Sequence, residues 1–472
     1  MTGEVLHNGI RLPGGWPPTK ATLTLDPAPT PPYLVSPPEV IPIDVGRQLF
    51  VDDFLIEHTT LRRTFHAAEV QSSPALEPDW PWEQHGDAPA AMTFSDGVWY
   101  DPPQRLFQMW YMGGLFQSTC YATSEDGLRW ERPSLDIVPG TNIVLREPRD
   151  SNTVWLDSEE PDGPRRYKMF RVAPTPTSYG PLLIHFSADG IHWSDVAAKT
   201  GTCVDRTTVF RNPFRNVWVF SVREMLPEPI VRARRYHECV CSADFSRATN
   251  WKLDELPLWT CADKLDPARP DTKAQPQLYN LDAVAHESVL LGLFSIMRGA
   301  RADGTKTNDL CLGFSRDGFH WHRPCRQPFV SVSENPGDWN YAYLQSAGGC
   351  CVRIGDRLHF YVGARGLKNG RRIYRTGLAT LRRDGFASMD AGGHGGTLTT
   401  RPVSFRGSRL FVNLDGELRM EAIAAHRPLA AGAVCGNNTK LELHDDLSAF
   451  AGQPVRFRFH LTRGKLYSFW IE

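Results

Sequence analysis

Five places along this 472-residue chain carry a carboxylate or carboxamide at matching points of a repeated unit: Asp87, Asp150, Asp205, Asn280 with Asp282, and Asp338 with Asn340. Carboxyl groups gathered in one site divide labour. One, desolvated, keeps its proton and serves as general acid, while another stays ionised as base or nucleophile. Any single Asp also caps turns, so the recurrence carries the reading. A second set is basic. Arg223-Glu224 is followed by Arg232, Arg234, Arg235, Tyr236 and Glu238 within one unit, and Arg298 and Arg365 hold the equivalent place in two later units. Guanidinium forks suit carboxylates and phosphates, and Glu224 or Glu238 supplies a further acid.

These side chains need a frame that brings distant segments together, and the chain repeats itself on a suitable pitch. Ser124-Glu125-Asp126-Gly127-Leu128-Arg129-Trp130 returns as Ser187-Ala188-Asp189-Gly190-Ile191-His192-Trp193 and again as Ser315-Arg316-Asp317-Gly318-Phe319-His320-Trp321. Ser242-Ala243-Asp244-Phe245 and Arg382-Arg383-Asp384-Gly385-Phe386 are weaker copies, which makes five units of roughly 60 residues. Each phrase has tight-turn chemistry: Asp binds backbone two residues on, and Gly supplies a positive φ. Upstream of each lies a short aromatic or β-branched run that reads as a strand: Phe107–Tyr111, Tyr167–Phe170, Val217–Phe220, Leu291–Phe294 and His359–Val362. With an inner strand before each run, the unit is a four-stranded propeller blade, and radial repetition hides the sheet edges. The expected architecture is all-β: a Pro-rich extended segment over 1–44, a five-bladed propeller over 45–392, and a small β-sandwich of six short strands over 393–472.

The first segment holds ten prolines, which keeps it out of sheet interiors. A formal charge of −1 without basic blocks argues against a nucleic-acid partner. No apolar run reaches the ~20 residues of a membrane span. The opening Met1-Thr2-Gly3-Glu4-Val5 lacks a basic-then-apolar pattern, so a cytoplasmic location is expected. The ten cysteines have neither zinc nor disulfide-scaffold spacing and read as buried thiols.

In a propeller the early residues of each inner strand face one funnel. Two carboxylates facing a sugar there, one protonated and one ionised, would suit glycosidic bond cleavage, with Trp80, Trp82, Tyr279, Trp339 and Tyr341 as stacking faces. The expected catalytic residues are Asp87, Asp205, Glu224 and Glu238. The expected substrate contacts are Asp150, Arg223, Arg235, Tyr236, Tyr279, Asn280, Asp282, Arg298, Asp338, Trp339 and Asn340. No cofactor is required, a structural cation on the propeller axis is conceivable, and the partner is an oligo- or polysaccharide. Two alternatives stand beside this. One is a phosphorylase, or a hydrolase of an anionic sugar, that uses the arginine cluster; the other is a carbohydrate-binding propeller without catalysis.

The Ser-x-Asp-Gly-x-x-Trp turns at Ser124, Ser187 and Ser315 resemble those of the five-bladed propeller glycoside hydrolases, the broad group of families 32, 43, 68, 117 and 130. The layout with a C-terminal sandwich is most similar to family 32, the β-fructofuranosidases and relatives. That resemblance implies a nucleophile or base from blade one, an orienting aspartate from blade two and a glutamate acid from blade three. By position these are Asp87, Asp150, and Glu224 or Glu238.

Overall fold

Each Ser-x-Asp-Gly phrase closes on itself in the same way. Asp126 Oδ1 accepts from the Ser124 hydroxyl and from the amides of Leu128 and Arg129, while Ser124 Oγ accepts from the Gly127 amide. The bonds at Ser187/Asp189 and Ser315/Asp317 are equivalent. Gly127, Gly190 and Gly318 have φ of 71°, 79° and 87°, a region other residues enter at a cost. The computed structural model describes residues 3–20, 22–175, 179–240, 245–302, 304–424 and 427–472; the Ser242–Asp244 copy lies outside them.

Each turn also latches a neighbouring blade. Trp110 Nε1 of blade I donates to Gly190 O of blade II at 2.7 Å, and Trp259 Nε1 of blade III donates to Phe319 O of blade IV at 2.7 Å. The Tyr361 hydroxyl of blade V donates to Gly127 O of blade I. A Cβ on Gly190 would stand 2.5 Å from Trp110, and one on Gly318 would stand 2.7 Å from Asn212 of blade III. The phrase recurs because it serves both a turn and a blade-to-blade contact.

The five blades form as expected, and the aromatic runs are their second strands. Blade I pairs Leu106–Gly113 with Ala91–Met92, Val98–Asp101 and Ser118–Ser124, and Ile143–Leu145 lies outermost. Blade II runs Asn152–Leu156, Tyr167–Val172, Tyr179–Ser187 and Ala198–Val204. Blade III runs Thr208–Asn212, Val217–Met225, Arg232–Cys239 and Leu258–Cys261. Blade IV has three strands, Gln277–His286, Val289–Ala300 and Lys306–Ser315, and a single bridge from Leu310 to Val330 stands in for the fourth. Blade V pairs Arg357–Lys368 with Ala342–Ser346, Val352–Ile354 and Arg371–Arg382, and its outer strand is Glu69–Val70 from the other end of the chain. Aromatic pairs fill the wedges between blades. They include Trp110–Tyr167 at 5.7 Å, Phe170–Phe220 at 5.8 Å, Tyr236–Phe319 at 5.0 Å and Trp130–Tyr361 at 5.4 Å, the separations at which such rings attract.

The C-terminal region departs from expectation in two respects. Six short strands were read there. The first is present as Gly396–Thr400, followed by Val403–Ser404, but the other five merge into three long strands, Leu410–Ala424, Arg427–His444 and Arg456–Ile471, that share one eight-stranded sheet with Gly396–Thr400. The glycines that looked like turn punctuation are a crease. Gly416, Gly436 and Gly464 lie side by side in register with φ of 142°, 155° and 105°, and a Cβ on Gly464 would meet Asp415 O at 1.8 Å. Second, Gln48–Leu49, Ile56–Thr59 and Arg62–Phe65, placed in the propeller by a boundary at 45, pair with this C-terminal sheet. Leu6, Ile10, Leu12 and Tyr33 of the Pro-rich segment are buried in the same core as Met420, Phe457 and Phe459. Farther along, Trp16 reaches Glu238 and Lys20 reaches Trp259 O on the outside of blade III.

Among the described cysteines none is disulfide-bonded, and Cys120, Cys203, Cys239, Cys311 and Cys350 are buried. No helix among the described residues is long and apolar enough to cross a membrane.

Candidate active site in the propeller funnel

The residue that marks the axis is Arg206, which enters blade III with φ 57° and is fully buried. Its guanidinium lies 3.9 Å over the Phe94 ring of blade I and donates from Nη2 to Gln345 Oε1 of blade V at 2.6 Å. Its charge acts on Asp150 of blade II and Asp282 of blade IV. One side chain of blade III thus engages all four other blades.

Beneath it lies a sealed polar layer. Asp282 accepts from the Ser95 hydroxyl at 3.0 Å, Asn280 Nδ2 at 2.8 Å and the Ser346 hydroxyl at 2.5 Å; burial raises its pKa, against the nearby positive charge of Arg206. Asp96 takes both arms of Arg149, at 2.6 and 2.9 Å. Arg234 donates to Arg206 O, Tyr279 O and Asn280 Oδ1 at 2.6–2.9 Å. Asn280, Asp282 and Arg234 are thereby consumed in joining blades I, III, IV and V.

Beside Asp150 and Asp205, at one end of blade II, lies a cavity of ≈ 230 Å³ lined by Phe116, Asp150, Val172, Pro174, Pro181, Cys203 and Asp205, among others. Asp150 Oδ1 accepts from the Ser151 amide at 2.7 Å. Burial raises the pKa of its carboxyl, and the charges of Arg206, Arg149 and Arg223 only partly offset this. Asp205 forms an ion pair with Arg223 and keeps a third of its side chain exposed. Two carboxyls of contrasting environment therefore share one cavity: Asp150, desolvated, and Asp205, ion-paired. Beside them the Tyr343 hydroxyl donates to the Tyr279 hydroxyl at 2.8 Å. Tyr343 holds an unusual φ of 62°, and backbone strain of this kind clusters at functional sites. Arg223, Arg232 and Lys306 lie 5.9, 5.4 and 5.9 Å from the Tyr279 ring, and Arg365 lies 5.1 Å from that of Tyr343.

The funnel therefore gathers Asp150, Asp205, Arg223 and Tyr279 from the expected set. Asp87 is exposed beside buried Ala88 and has no hydrogen bond or ion pair among the described residues. Glu224 lies near the mouth end of its strand, on the opposite face from Arg223. It is bound to Arg235 Nε at 2.5 Å and to the Met225 amide at 2.8 Å, and Arg235 in turn donates to Leu256 O.

Other expected residues lie elsewhere. Glu238 pairs in register with Val219, down the blade from the mouth, where Arg215 Nη1 and the Tyr236 hydroxyl both reach it at 2.5 Å. Tyr236 is buried 4.9 Å from Trp259, in the wedge between blades III and IV. Arg298 lies in a β-bulge between Met297 and Ala300, the kind of irregularity that re-aims a side chain, and it donates to Asp309 and Pro267 O. Asp338 closes a surface turn with Ser333 and Asn335, Asn340 donates to Ser331 O, and Trp339 packs over Gly377 with its indole N–H on Gln71 O. On the rim, Trp80 stacks on Trp82 at 5.3 Å and is half-exposed, whereas Tyr341 is buried under Arg301.

Sequence reasoning missed Arg206, Phe94, Phe116, Lys306 and Tyr343 as site residues. One signal was present: Arg232 and Lys306 are each the first residue of a third strand. Among the described residues, His286, Glu287 and Asp384 have metal-ligand spacing, but Glu287 is paired with Arg47 and Arg383, and Asp384 with Arg47.

The chain matches no protein-family model and no curated protein. Solved structures with a similar course of chain include an N-acetylgalactosamine deacetylase from F. plautii, 14% identical, covering 68% of this chain and 96% of that one with a TM-score of 0.46. Another is an exo-β-1,3-galactanase from Phanerochaete chrysosporium, 10% identical, covering 87% and 100% with a TM-score of 0.39. A third is an endo-arabinase from Bacteroides thetaiotaomicron, 11% identical, covering 67% and 97% with a TM-score of 0.40. At these scores the likeness carries no argument about reaction or substrate.

Proposed function

We propose that this protein is a glycoside hydrolase in which Asp150 is the general acid and Asp205 the base or nucleophile. The observation that carries the reading is the pair of unlike carboxyls in one cavity. Burial keeps Asp150 inclined to hold a proton, which suits it to protonate a leaving glycosidic oxygen. Asp205, ion-paired with Arg223 and partly open to the cavity, is placed to activate water or to attack the anomeric carbon. Setting two carboxyl environments apart is how such sites separate acid from base. The Phe116 ring in the cavity wall offers a flat apolar surface of the kind sugars stack on. Cleavage of a furanoside such as a β-fructofuranoside is the narrower form of this proposal.

The test is turnover on a panel of neutral and acidic oligosaccharides, fructans included, with wild type, Asp150→Asn and Asp205→Asn. Each substitution is expected to lower kcat by about 100-fold or more, the scale of general acid–base catalysis, while glycan binding persists. Full turnover in either variant, or tight glycan binding by wild type with no product at all, would overturn the assignment. The second outcome would identify a binding propeller.

A further inference from the structure

The funnel wall formed by blades III, IV and V holds more positive charge than the chain itself neutralises. Arg206, Arg223, Arg232, Lys306 and Arg365 surround Tyr279 and Tyr343, and the cavity carboxyls beside them are Asp150 and Asp205. Asp205 occupies Arg223, and Arg206 acts on the aspartates at the axis. Arg232, Lys306 and Arg365 are left without a carboxylate among the described residues.

Their hydrogen bonding is correspondingly thin. Arg365, 8% exposed, donates from Nη2 to Lys306 O at 3.3 Å, and its buried Nε has no partner. Arg232 reaches Gln277 Oε1, and its buried Nε is also unpartnered. Buried donors are costly to leave unmade, and like charges crowded together repel. Burial, followed by the charges of Arg232, Arg365 and Arg223, lowers the pKa of Lys306. The tyrosine faces offset some of that repulsion but accept no N–H of the forks.

Building on the glycoside hydrolase reading, we infer that the substrate is an acidic glycan whose uronate carboxylate docks on Arg232, Lys306 and Arg365. Two guanidinium forks around an ammonium suit a planar oxyanion. The groups lie beside the carboxyl pair, so a charged substituent on the bound sugar reaches them while the glycosidic bond faces Asp150 and Asp205.

The experiment is calorimetric binding to Asp150→Asn protein, which separates recognition from turnover. The probes are digalacturonate, diglucuronate, cellobiose, galactobiose and inorganic phosphate, each at low and high salt. At least one uronide is expected to bind about tenfold or more tightly than the neutral disaccharides, with a preference that shrinks as salt screens it. Lys306→Gln and Arg365→Gln should each abolish most of that preference, with urea midpoints near wild type showing that both variants fold. Equal affinity for neutral and acidic sugars, or a preference that survives both substitutions, would overturn the inference. So would phosphate binding that depends on Lys306 without any uronide preference, which would make the site one for a free anion. A protein that binds uronides but turns over nothing would refute the hydrolase reading and leave this one standing.

Discussion

Replacing Arg206 with methionine removes the charge at the centre of the ring and keeps much of the side-chain volume. Arg206 is fully buried, donates to Gln345, lies on Phe94 and faces the carboxyls of Asp150 and Asp282. Removing a buried hydrogen bond made by a charged group costs about 1.5–3 kcal/mol, a sizeable share of the roughly 5–15 kcal/mol of a folded domain. The loss should depend on pH. Burial already raises the pKa of Asp150 and Asp282, and Arg206 opposes it, so without Arg206 both values rise further. A carboxyl whose pKa is higher folded than unfolded takes up a proton on folding, and its contribution to stability declines as pH rises through that window. The Arg206→Met deficit should therefore be largest near pH 8 and smaller by about 1 kcal/mol or more at pH 5, one unit of pKa being worth about 1.4 kcal/mol. Urea midpoints of wild type and variant at the two pH values measure this. Arg206→Lys keeps the charge and should show a smaller deficit with little pH dependence. A deficit below 1 kcal/mol at pH 8, or the same deficit at both pH values, would refute the placement of Arg206 as counter-charge to the axial aspartates.

Two further substitutions probe the frame. Gly190→Ala combines a φ of 79° with a Cβ only 2.5 Å from Trp110, whereas Gly140→Ala has the same φ and open space around it. Denaturant midpoints should show Gly140→Ala losing about 1 kcal/mol and Gly190→Ala losing more, by the roughly 1–3 kcal/mol of overpacking; equal losses would remove the blade-latching account. Glu238→Gln should leave turnover near wild type while speeding limited proteolysis within residues 3–20, because Glu238 binds Arg215 and Trp16 outside the funnel. A collapse of kcat with the fold intact would return Glu238 to the site.

The propeller was legible because its signals are local. A Ser-Asp-Gly turn satisfies its own backbone within four residues, and an aromatic run announces a strand wherever it stands. The site was only half legible because aim depends on register and face. Arg223 and Glu224 are adjacent yet point to opposite sides of a blade. Glu238 comes six residues after Arg232 on the same strand, and six residues of strand cover about 20 Å, so one strand leads from the mouth toward the outside. Asp338 sits just before an inner strand, as Asp150 does, but Ser333 and Asn335 hold it in a turn of its own. The C-terminal strands were divided too finely because a glycine in a crease and a glycine in a turn look alike in sequence.

The pairing of Gln48–Phe65 with strands beyond residue 386, and of Glu69–Val70 with blade V, has a consequence for biosynthesis. The segments that leave the ribosome early find their partners only among those that leave late, so ring and C-terminal sheet are completed in the same closing stage. A ribosome stalled after blade IV would carry an open arc of sheets with its wedge aromatics in water, a natural substrate for chaperones. By the same topology, a cut between propeller and C-terminal sheet would not yield two free-standing halves.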